Sequence, residues 1–122
     1  MVVDDHSGFR QVVRALIQAA GGEVLECKDG YEAVRQYPRF RPDIVLMDIA
    51  MKGLDGLNAT MQIKHSSPGA RVFMLTQYDD SDLRLAAQEV GAAGYLLKDD
   101  LSQLQLLLNS LGPLKRAEPN GA

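Results

Sequence analysis

Five polar residues of this chain stand where apolar runs end, and together they have the functional groups needed to handle phosphate. They are Asp4, Asp5, Asp48, Thr76 and Lys98. Crowded carboxylates repel one another and raise one another's pKa unless a cation neutralises them. A divalent metal, a nucleophilic carboxylate, a hydroxyl and an ammonium in one cleft could bind and transfer a phosphoryl group.

The elements that position these residues alternate between two periodicities. Apolar residues at helical spacing alternate with short apolar runs, a pattern typical of an α/β fold with a parallel sheet and helices on both faces. Such strands are covered on both sides, which explains why their apolar runs are nearly continuous. Predicted strands cover residues 1–3, 23–27, 43–48, 71–76 and 93–97; predicted helices cover 9–20, 31–37, 57–65, 83–90 and 101–111.

The first strand, the second helix and the last helix each have a feature that leads to a specific expectation. Only three residues precede Asp4, which is short for a central strand, so the first strand is either clipped or missing residues from its start. Pro38 and Pro42 are expected to end the second helix. Leu106 falls off the apolar stripe of the last helix, as a surface leucine or as part of a partner-facing patch.

Length and composition are typical of one ordinary globular domain. The chain has 122 residues, 46% of them hydrophobic and 24% charged, and a net charge of −3. No broad basic surface is expected, so this segment is not predicted to bind nucleic acid directly. Cys27 is the single cysteine, and no apolar run is long enough to cross a membrane. We therefore expect a cytoplasmic protein without membrane contact.

Parallel strands place their carboxyl ends at one edge of the sheet, where ligands of open α/β folds bind. Asp4 and Asp5 end the first strand and Asp48 ends the third, so adjacent strands would bring them together. Mg²⁺ fits this donor set because it prefers a few carboxylates plus waters and phosphate oxygens. With the ion bound, Asp48 could attack phosphorus and form an acyl phosphate.

Four segments resemble the receiver domain of bacterial two-component response regulators. The resemblance spans residues 1 to about 111 and leaves 112–122 as a linker or disordered tail. It implies a flavodoxin-like, doubly wound five-stranded parallel sheet in the order 2-1-3-4-5. The first and last segments resemble the subfamily with a C-terminal helix-turn-helix output domain. The segments are Val3-Asp-Asp-His6, Asp43-Ile-Val-Leu-Met-Asp-Ile-Ala-Met51 followed by Asp55-Gly56, Leu75-Thr76 and Gly94-Tyr-Leu-Leu-Lys-Asp99.

The resemblance implies a specific Mg²⁺ site. Asp5 and Asp48 would ligate the ion directly, and Asp4 would act through a water molecule. The backbone carbonyl of Ala50 would complete the protein ligands.

It also implies the roles of the phosphoryl site and its switch. Asp48 would be the phosphoacceptor, Lys98 would pair with phosphoryl oxygens, and the Thr76 hydroxyl would bond another oxygen. Thr76 and Tyr95 would form the switch, with Tyr95 as an aromatic residue that moves inward.

The implied partner is a sensor histidine kinase that donates the phosphoryl group. The domain would assist its own phosphorylation and dephosphorylation without acting as an enzyme on an external substrate. Its output would be transcriptional, through a DNA-binding domain missing from this sequence. Homodimerisation on phosphorylation is left open.

Three positions depart from the common receiver pattern. Lys52 and Asp99 each stand where proline is frequent, and the proline at the second position often follows a cis bond. Gln77 replaces a usually small residue and could partly cover the phosphorylation site. His6 is interpreted as a polar neighbour of the two carboxylates rather than as a phosphorelay histidine.

Three alternative functions share parts of this pattern. A haloacid-dehalogenase-type enzyme also uses Asp and Mg²⁺, but its nucleophile ends the first strand in a DxD pattern. A nucleotide or flavin binder would show a glycine-rich phosphate loop, which is absent from the sequence. A receiver-like interaction module that works without phosphorylation remains open because of Gln77 and the short first strand.

Overall fold

The computed structural model describes residues 1–112 and contains five strands that alternate with five helices. The sheet is parallel, with order β2-β1-β3-β4-β5, so the predicted doubly wound topology is confirmed. The predicted tail lies outside the described residues from residue 113 onward. The elements are β1 Val2–Val3, α1 Ser7–Ala19, β2 Glu26–Cys27, α2 Gly30–Phe40, β3 Val45–Met47, α3 Gly56–Ser66, β4 Val72–Thr76, α4 Ser81–Glu89, β5 Gly94–Leu97 and α5 Leu101–Ser110.

Each face of the sheet has its own apolar layer. On one face α1 and α5 pack through residues such as Val13, Ile17 and Leu104. On the other face α2, α3 and α4 pack through residues such as Ala33, Ile63 and Ala87. Strand side chains alternate between the two layers, and burying each large one contributes about 1.5–3 kcal/mol. This two-sided burial accounts for the continuous apolar runs of the sequence.

The short first strand is held at the centre of the sheet by backbone bonds on both sides. Val2 and Val3 are buried and pair with β2 and β3. The ladder continues one residue further, because the amide of Asp4 donates to the Cys27 carbonyl at 3.0 Å and that of Asp48 to the Val3 carbonyl at 2.9 Å. The backbones of both aspartates are thereby fixed at the carboxyl edge.

The predicted start of the second strand and the predicted end of the second helix were wrong. The second strand covers only Glu26–Cys27 rather than residues 23–27. Pro38 does not end the second helix: it lies inside α2, where it lacks the amide donor of a helical hydrogen bond, and the helix continues for two more residues. The helix ends after Phe40 because Arg41 turns left-handed, with φ of 48°, and its amide bonds to the Tyr37 carbonyl at 2.8 Å.

Leu106 is 68% exposed on α5, which confirms that it lies off the buried stripe. No helix among the described residues is long and apolar enough to cross a membrane.

Candidate functional site

The four strands that end in the predicted polar residues deliver them to one edge. Val3 pairs with Met47, so Asp4 and Asp48 follow neighbouring strands at the same level. Thr76 pairs with Leu97 at the end of β4 and β5, and Lys98 comes next. We call the group of Asp4, Asp5, Asp48 and Lys98 the acidic site.

Lys98 lies between two buried carboxylates in the acidic site. Its Nζ is 2.6 Å from Asp4 Oδ2 and 3.3 Å from Asp48 Oδ2. Asp4 is 1% exposed and Asp48 4% exposed. One ammonium thus serves two carboxylates that are almost completely shielded from water.

In this arrangement the negative charge of ionised Asp48 is only partly compensated by Lys98. Burial raises the pKa of Asp48 to about 6; Lys98 opposes this increase and Asp4 adds to it. Burial alone would lower the pKa of Lys98, but Asp4 and Asp48 outweigh that effect and raise it. Another cation near the carboxylates would therefore favour the ionised form of Asp48.

Asp5 and His6 form the outer part of the same cleft. His6 Nδ1 lies 3.0 Å from Asp5 Oδ1 and 3.4 Å from Asp4 Oδ1, and the His6 amide donates to Asp4 Oδ1 at 2.9 Å. Among the described residues, Asp4, Asp5 and His6 are the set whose potential ligand atoms all lie within 4.8 Å of one another. Asp48 does not belong to this set and faces Lys98 instead. His6 was expected only as a polar neighbour.

The donor chemistry fits Mg²⁺. Asp4 Oδ2 is buried and receives no hydrogen bond of normal geometry, its close neighbour being the ammonium of Lys98. Asp4 and Asp48 share this one ammonium, and a hard cation bound by carboxylate oxygens would balance the remaining negative charge. Asp4, Asp5 and Asp48 are suited to hold the ion, directly or through water. Ala50 is exposed in the loop after Asp48, and ligation by its carbonyl stays a prediction.

The two predicted switch residues are both bonded to the backbone of Tyr78. Thr76 is fully buried, and its Oγ1 accepts a hydrogen bond from the Tyr78 amide at 3.3 Å. The Tyr95 hydroxyl donates to the Tyr78 carbonyl at 2.5 Å. The Arg84 guanidinium lies 4.5 Å from the centre of the Tyr95 ring and pairs with Asp79 at 3.0 Å. We call Tyr78, Asp79, Arg84 and Tyr95 the tyrosine face.

Helix α1 supports the acidic site through two residues that the sequence analysis missed. The Phe9 ring centre lies 4.7 Å from Lys98 Nζ, within range of a cation–π interaction. Arg10 Nη1 donates to the Asp4 carbonyl at 2.6 Å, while its Nε donates to Glu26 at 3.0 Å. Arg14 also donates to Glu26, at 2.6 Å. The i, i+4 spacing of the two arginines, opposite an acidic residue on an edge strand, was the available signal.

Gly56 has a packing role that its place in the sequence did not reveal. It begins α3, after Asp55, whose carboxylate caps the helix by accepting from the Asn58 amide at 2.9 Å. A Cβ added at Gly56 would overlap the backbone carbonyl of Asp48. The start of α3 therefore packs directly on the backbone of Asp48, which only glycine permits.

The three departures from the receiver pattern are all on the surface. Lys52, Gln77 and Asp99 are exposed. No peptide bond among the described residues is cis, so the bond before Asp99 is trans. Gly53, next to Lys52, has φ of +78°, and an added Cβ there would lie 3.1 Å from the Tyr31 ring. Tyr31 thus packs against the loop that follows Asp48.

Comparison with known proteins gives a consistent assignment. The sequence family described as the response regulator receiver domain matches residues 1–109. LiaR, a transcriptional regulatory protein of Bacillus subtilis, is 34% identical over 121 residues, which are 98% of this chain and 56% of LiaR. The chain spans about half the length of the first curated relatives it matches.

Solved structures share the fold. A LuxR-family two-component response regulator from Aurantimonas sp. SI85-9A1 has a TM-score of 0.80 and 35% identity, covering 98% of this chain and 89% of that chain. A chain of the CheX–CheY–BeF3–Mg²⁺ complex from Borrelia burgdorferi has a TM-score of 0.83 and 26% identity, covering 90% of this chain and 85% of that chain.

Proposed function

The chain belongs to the response regulator receiver domain family of two-component systems, and we propose that Asp48 is its phosphoacceptor in a Mg²⁺-dependent reaction. The single observation that carries this proposal is the position of Lys98. Its ammonium lies 2.6 Å from buried Asp4 and 3.3 Å from buried Asp48, where it can also neutralise an incoming phosphoryl oxygen. The phosphodonor is a sensor histidine kinase.

The chemistry follows from the groups at the carboxyl edge. A carboxylate oxygen of Asp48 attacks phosphorus and forms an acyl phosphate, while the phosphorus–nitrogen bond to the kinase imidazole breaks and the ring takes up a proton. Mg²⁺ would be held directly by Asp5, Asp48 and the Ala50 carbonyl, with Asp4 acting through a water molecule, and it would supply charge neutralisation when bound. This role is supported by the sharing of one Lys98 ammonium between two buried carboxylates and by the Mg²⁺ present in the Borrelia burgdorferi complex.

Thr76 is suited to bind the transferred group. Its Oγ1 accepts a hydrogen bond from the Tyr78 amide, so its own hydroxyl proton remains available for a phosphoryl oxygen. The acidic site acts on the chain's own aspartate and has no external substrate, so we do not propose an enzyme activity beyond assisted phosphorylation and dephosphorylation of Asp48.

The switch would start at Thr76 and pass through Tyr78. A phosphoryl group adds about −1.5 to −2 charges and three strong acceptors beside Thr76 and Lys98. Movement of Thr76 toward these acceptors would pull on the Tyr78 amide, and the Tyr78 carbonyl is the acceptor of the Tyr95 hydroxyl. Phosphorylation would then change the tyrosine face, where an output partner or a second copy of the chain could bind.

The proposed output is transcription, carried by a DNA-binding domain outside this sequence. The support is the similarity to LiaR, a transcriptional regulatory protein of which the chain covers 56%. We place the protein in the cytoplasm, the general location of response regulators, where it would meet the kinase domain of its sensor.

The test is intact-mass spectrometry after incubation with acetyl phosphate, with Mg²⁺ or with a chelator. We expect one added phosphoryl group that requires Mg²⁺ and is absent from Asp48→Asn. The matched control is Asp82→Asn, which removes an exposed aspartate of α4 away from the site. Addition that survives Asp48→Asn would contradict the site. No addition to the natural sequence would favour the interaction module that works without phosphorylation.

A further inference from the structure

Helix α1 and the edge strand β2 meet in a cluster of three charged side chains beside the acidic site. Glu26 of β2 accepts a hydrogen bond from Arg10 Nε at 3.0 Å and another from Arg14 Nη1 at 2.6 Å. The hydrogen bond from Arg14, and with it that from Arg10, holds the pKa of Glu26 below its usual value, so Glu26 is ionised. One carboxylate and two guanidiniums leave this cluster with a net positive charge.

The two arginines differ in what else they contact. Among the described residues, the side chain of Arg14 is hydrogen-bonded to Glu26 alone, whereas Arg10 Nη1 also donates to the Asp4 carbonyl at 2.6 Å. The Arg10 side chain is 16% exposed and that of Arg14 is 42% exposed. Glu26 is itself fixed, because it pairs with Val2 in the sheet. The planar guanidinium of Arg10 therefore ties the turn after β1 to a residue of the sheet ladder.

The carbonyl that Arg10 binds belongs to the peptide unit joining Asp4 to Asp5. Because a peptide unit is planar, fixing its carbonyl also fixes the Cα position of the next residue. Asp4 is already held by the ladder bond of its amide, but Asp5 lies in the bend between β1 and α1, with 28% of its side chain exposed. The contact of Asp5 with His6, at 3.0 Å, stays within the same turn. Asp5 is thus the carboxylate whose position depends most on Arg10.

We infer that Arg10 is a positioning residue: by holding the Asp4–Asp5 peptide, it sets the direction in which Asp5 presents its carboxylate to a divalent cation. Glu26 in turn orients the Arg10 guanidinium. This inference rests on the proposed function, in which Asp5 is a direct ligand of Mg²⁺. Groups that orient metal ligands typically contribute about 10- to 100-fold to metal affinity.

The charge of Arg10 by itself would have the opposite effect on the ion. A guanidinium near the site repels a divalent cation, so removing it without a change of geometry would strengthen Mg²⁺ binding. Arg14→Gln removes the same charge from the cluster and also one bond to Glu26. Arg10→Gln removes, in addition, the bond to the Asp4 carbonyl. The sign of the change in Mg²⁺ affinity therefore separates positioning from electrostatics.

The test measures the Mg²⁺ affinity of the natural sequence, of Arg10→Gln and of the control Arg14→Gln. The temperature is one at which circular dichroism shows all three chains folded. Affinity is taken from backbone amide shifts during a Mg²⁺ titration by nuclear magnetic resonance, which requires no phosphorylation. We expect Arg10→Gln to weaken Mg²⁺ binding by about tenfold. Arg14→Gln should bind Mg²⁺ as tightly as the natural sequence or more tightly.

Phosphorylation by acetyl phosphate gives a second readout. Arg10→Gln should need about tenfold more Mg²⁺ to reach half of its maximal rate. The rate at saturating Mg²⁺ should approach that of the natural sequence, because Arg10 makes no hydrogen bond or ion pair with Asp48 or Lys98 in the described structure. A purely destabilising substitution would not separate the Mg²⁺ requirement from the maximal rate in this way.

Two outcomes of the titration would overturn the inference. Unchanged or tighter Mg²⁺ binding by Arg10→Gln would mean that the bond to the Asp4 carbonyl does not position Asp5. An equal loss in Arg14→Gln would attribute the effect to the pairing with Glu26 in general. If Arg10→Gln does not fold, Arg10→Lys takes its place: it keeps the charge, but its ammonium lacks the fork that joins Glu26 to the Asp4 carbonyl. Natural Mg²⁺ affinity in Arg10→Lys would also overturn the inference.

Failure of the inference can be told from failure of the proposed function. A natural sequence that gains a phosphoryl group with Mg²⁺ while Arg10→Gln binds Mg²⁺ normally overturns the inference alone. A natural sequence that neither binds Mg²⁺ nor accepts a phosphoryl group overturns both.

Discussion

The acidic site and the tyrosine face are neighbours, but the ion pairs of the acidic site are buried and that of the tyrosine face is exposed. Lys98, with 14% of its side chain exposed, lies between two buried carboxylates. Arg84 pairs with Asp79 at a similar distance, 3.0 Å, but the side chains of these two residues are 44% and 66% exposed. Removing one partner of a buried pair leaves an uncompensated charge, whereas an exposed pair contributes little. The proposed phosphorylation therefore takes place in a rigid site whose stability depends strongly on charge. The proposed partner surface, in contrast, can rearrange at little cost in free energy.

The largest effect that would test this contrast is expected from Lys98→Met. It leaves Asp4 and Asp48 buried without their ammonium, so the free energy of unfolding at pH 7 should fall by about 3–5 kcal/mol in the absence of metal. Urea denaturation measures it. Lys28→Met, an exposed lysine before α2, is the control and should change stability by less than about 0.5 kcal/mol. Similar losses in both variants would contradict the contrast.

Gly56→Ala should have the next largest effect. The added Cβ overlaps the Asp48 carbonyl, so either the loop or the start of α3 must shift, at a cost of up to about 3 kcal/mol. Phosphorylation by acetyl phosphate should slow strongly because the carboxylate is displaced. Gly8→Ala is the matched control: its Cβ meets nothing within 4 Å, and in helix α1 it should stabilise the protein by up to about 1 kcal/mol. Normal phosphorylation of Gly56→Ala would show that the packing on Asp48 is not needed.

The pH dependence of stability isolates the charge of Asp48. Its pKa is about 6 in the folded protein and 3.8 in the unfolded chain, so the folded state binds the proton more tightly. This contribution is present below the unfolded pKa and is lost as pH rises through about 6. In a chelator, stability relative to Asp48→Asn should therefore fall by about 2 kcal/mol between pH 4 and pH 8. Parallel curves for the two proteins would contradict this, and Mg²⁺ should restore part of the loss.

Phe9→Leu should have a smaller effect on the same site. Leucine keeps an apolar side chain in the layer beneath α1 but removes the cation–π interaction with Lys98, at a cost of about 1 kcal/mol. Phe9→Trp restores an aromatic face and should recover most of the phosphorylation rate that Phe9→Leu loses. If Phe9→Leu and Phe9→Trp phosphorylate equally fast, the ring does not position Lys98.

The smallest effects on stability are expected at the tyrosine face. Arg84→Gln removes the pair with Asp79 and the contact with the Tyr95 ring, yet should change the free energy of unfolding by less than about 0.5 kcal/mol. Phosphorylation should continue, because no member of this face contacts Asp48 in the described structure. If Arg84→Gln lowered the free energy of unfolding as much as Lys98→Met does, the two regions would not differ in how their ion pairs contribute to stability.

The sequence was sufficient for the fold and for the membership of the acidic site. Continuous apolar runs such as Val45–Met47 indicate strands covered on both faces, and alternation with helices makes those strands parallel. Parallel strands place Asp4, Asp48 and Lys98 at one edge whatever the details of packing. Boundaries were less predictable: α2 passes Pro38 because its end is set by the left-handed turn at Arg41.

Only the tertiary structure decided how these groups meet. Sequence spacing says nothing about Phe9 lying against Lys98, about Arg10 holding the Asp4 carbonyl or about Gly56 packing on Asp48, because each contact joins different elements. It also says nothing about burial, and burial is the main cause of the raised pKa of Asp48. Side-chain identity and periodicity therefore determined which groups share the carboxyl edge of the sheet. Packing between elements determined the distances between these groups, the pKa of Asp48 and the side of the cleft that His6 faces.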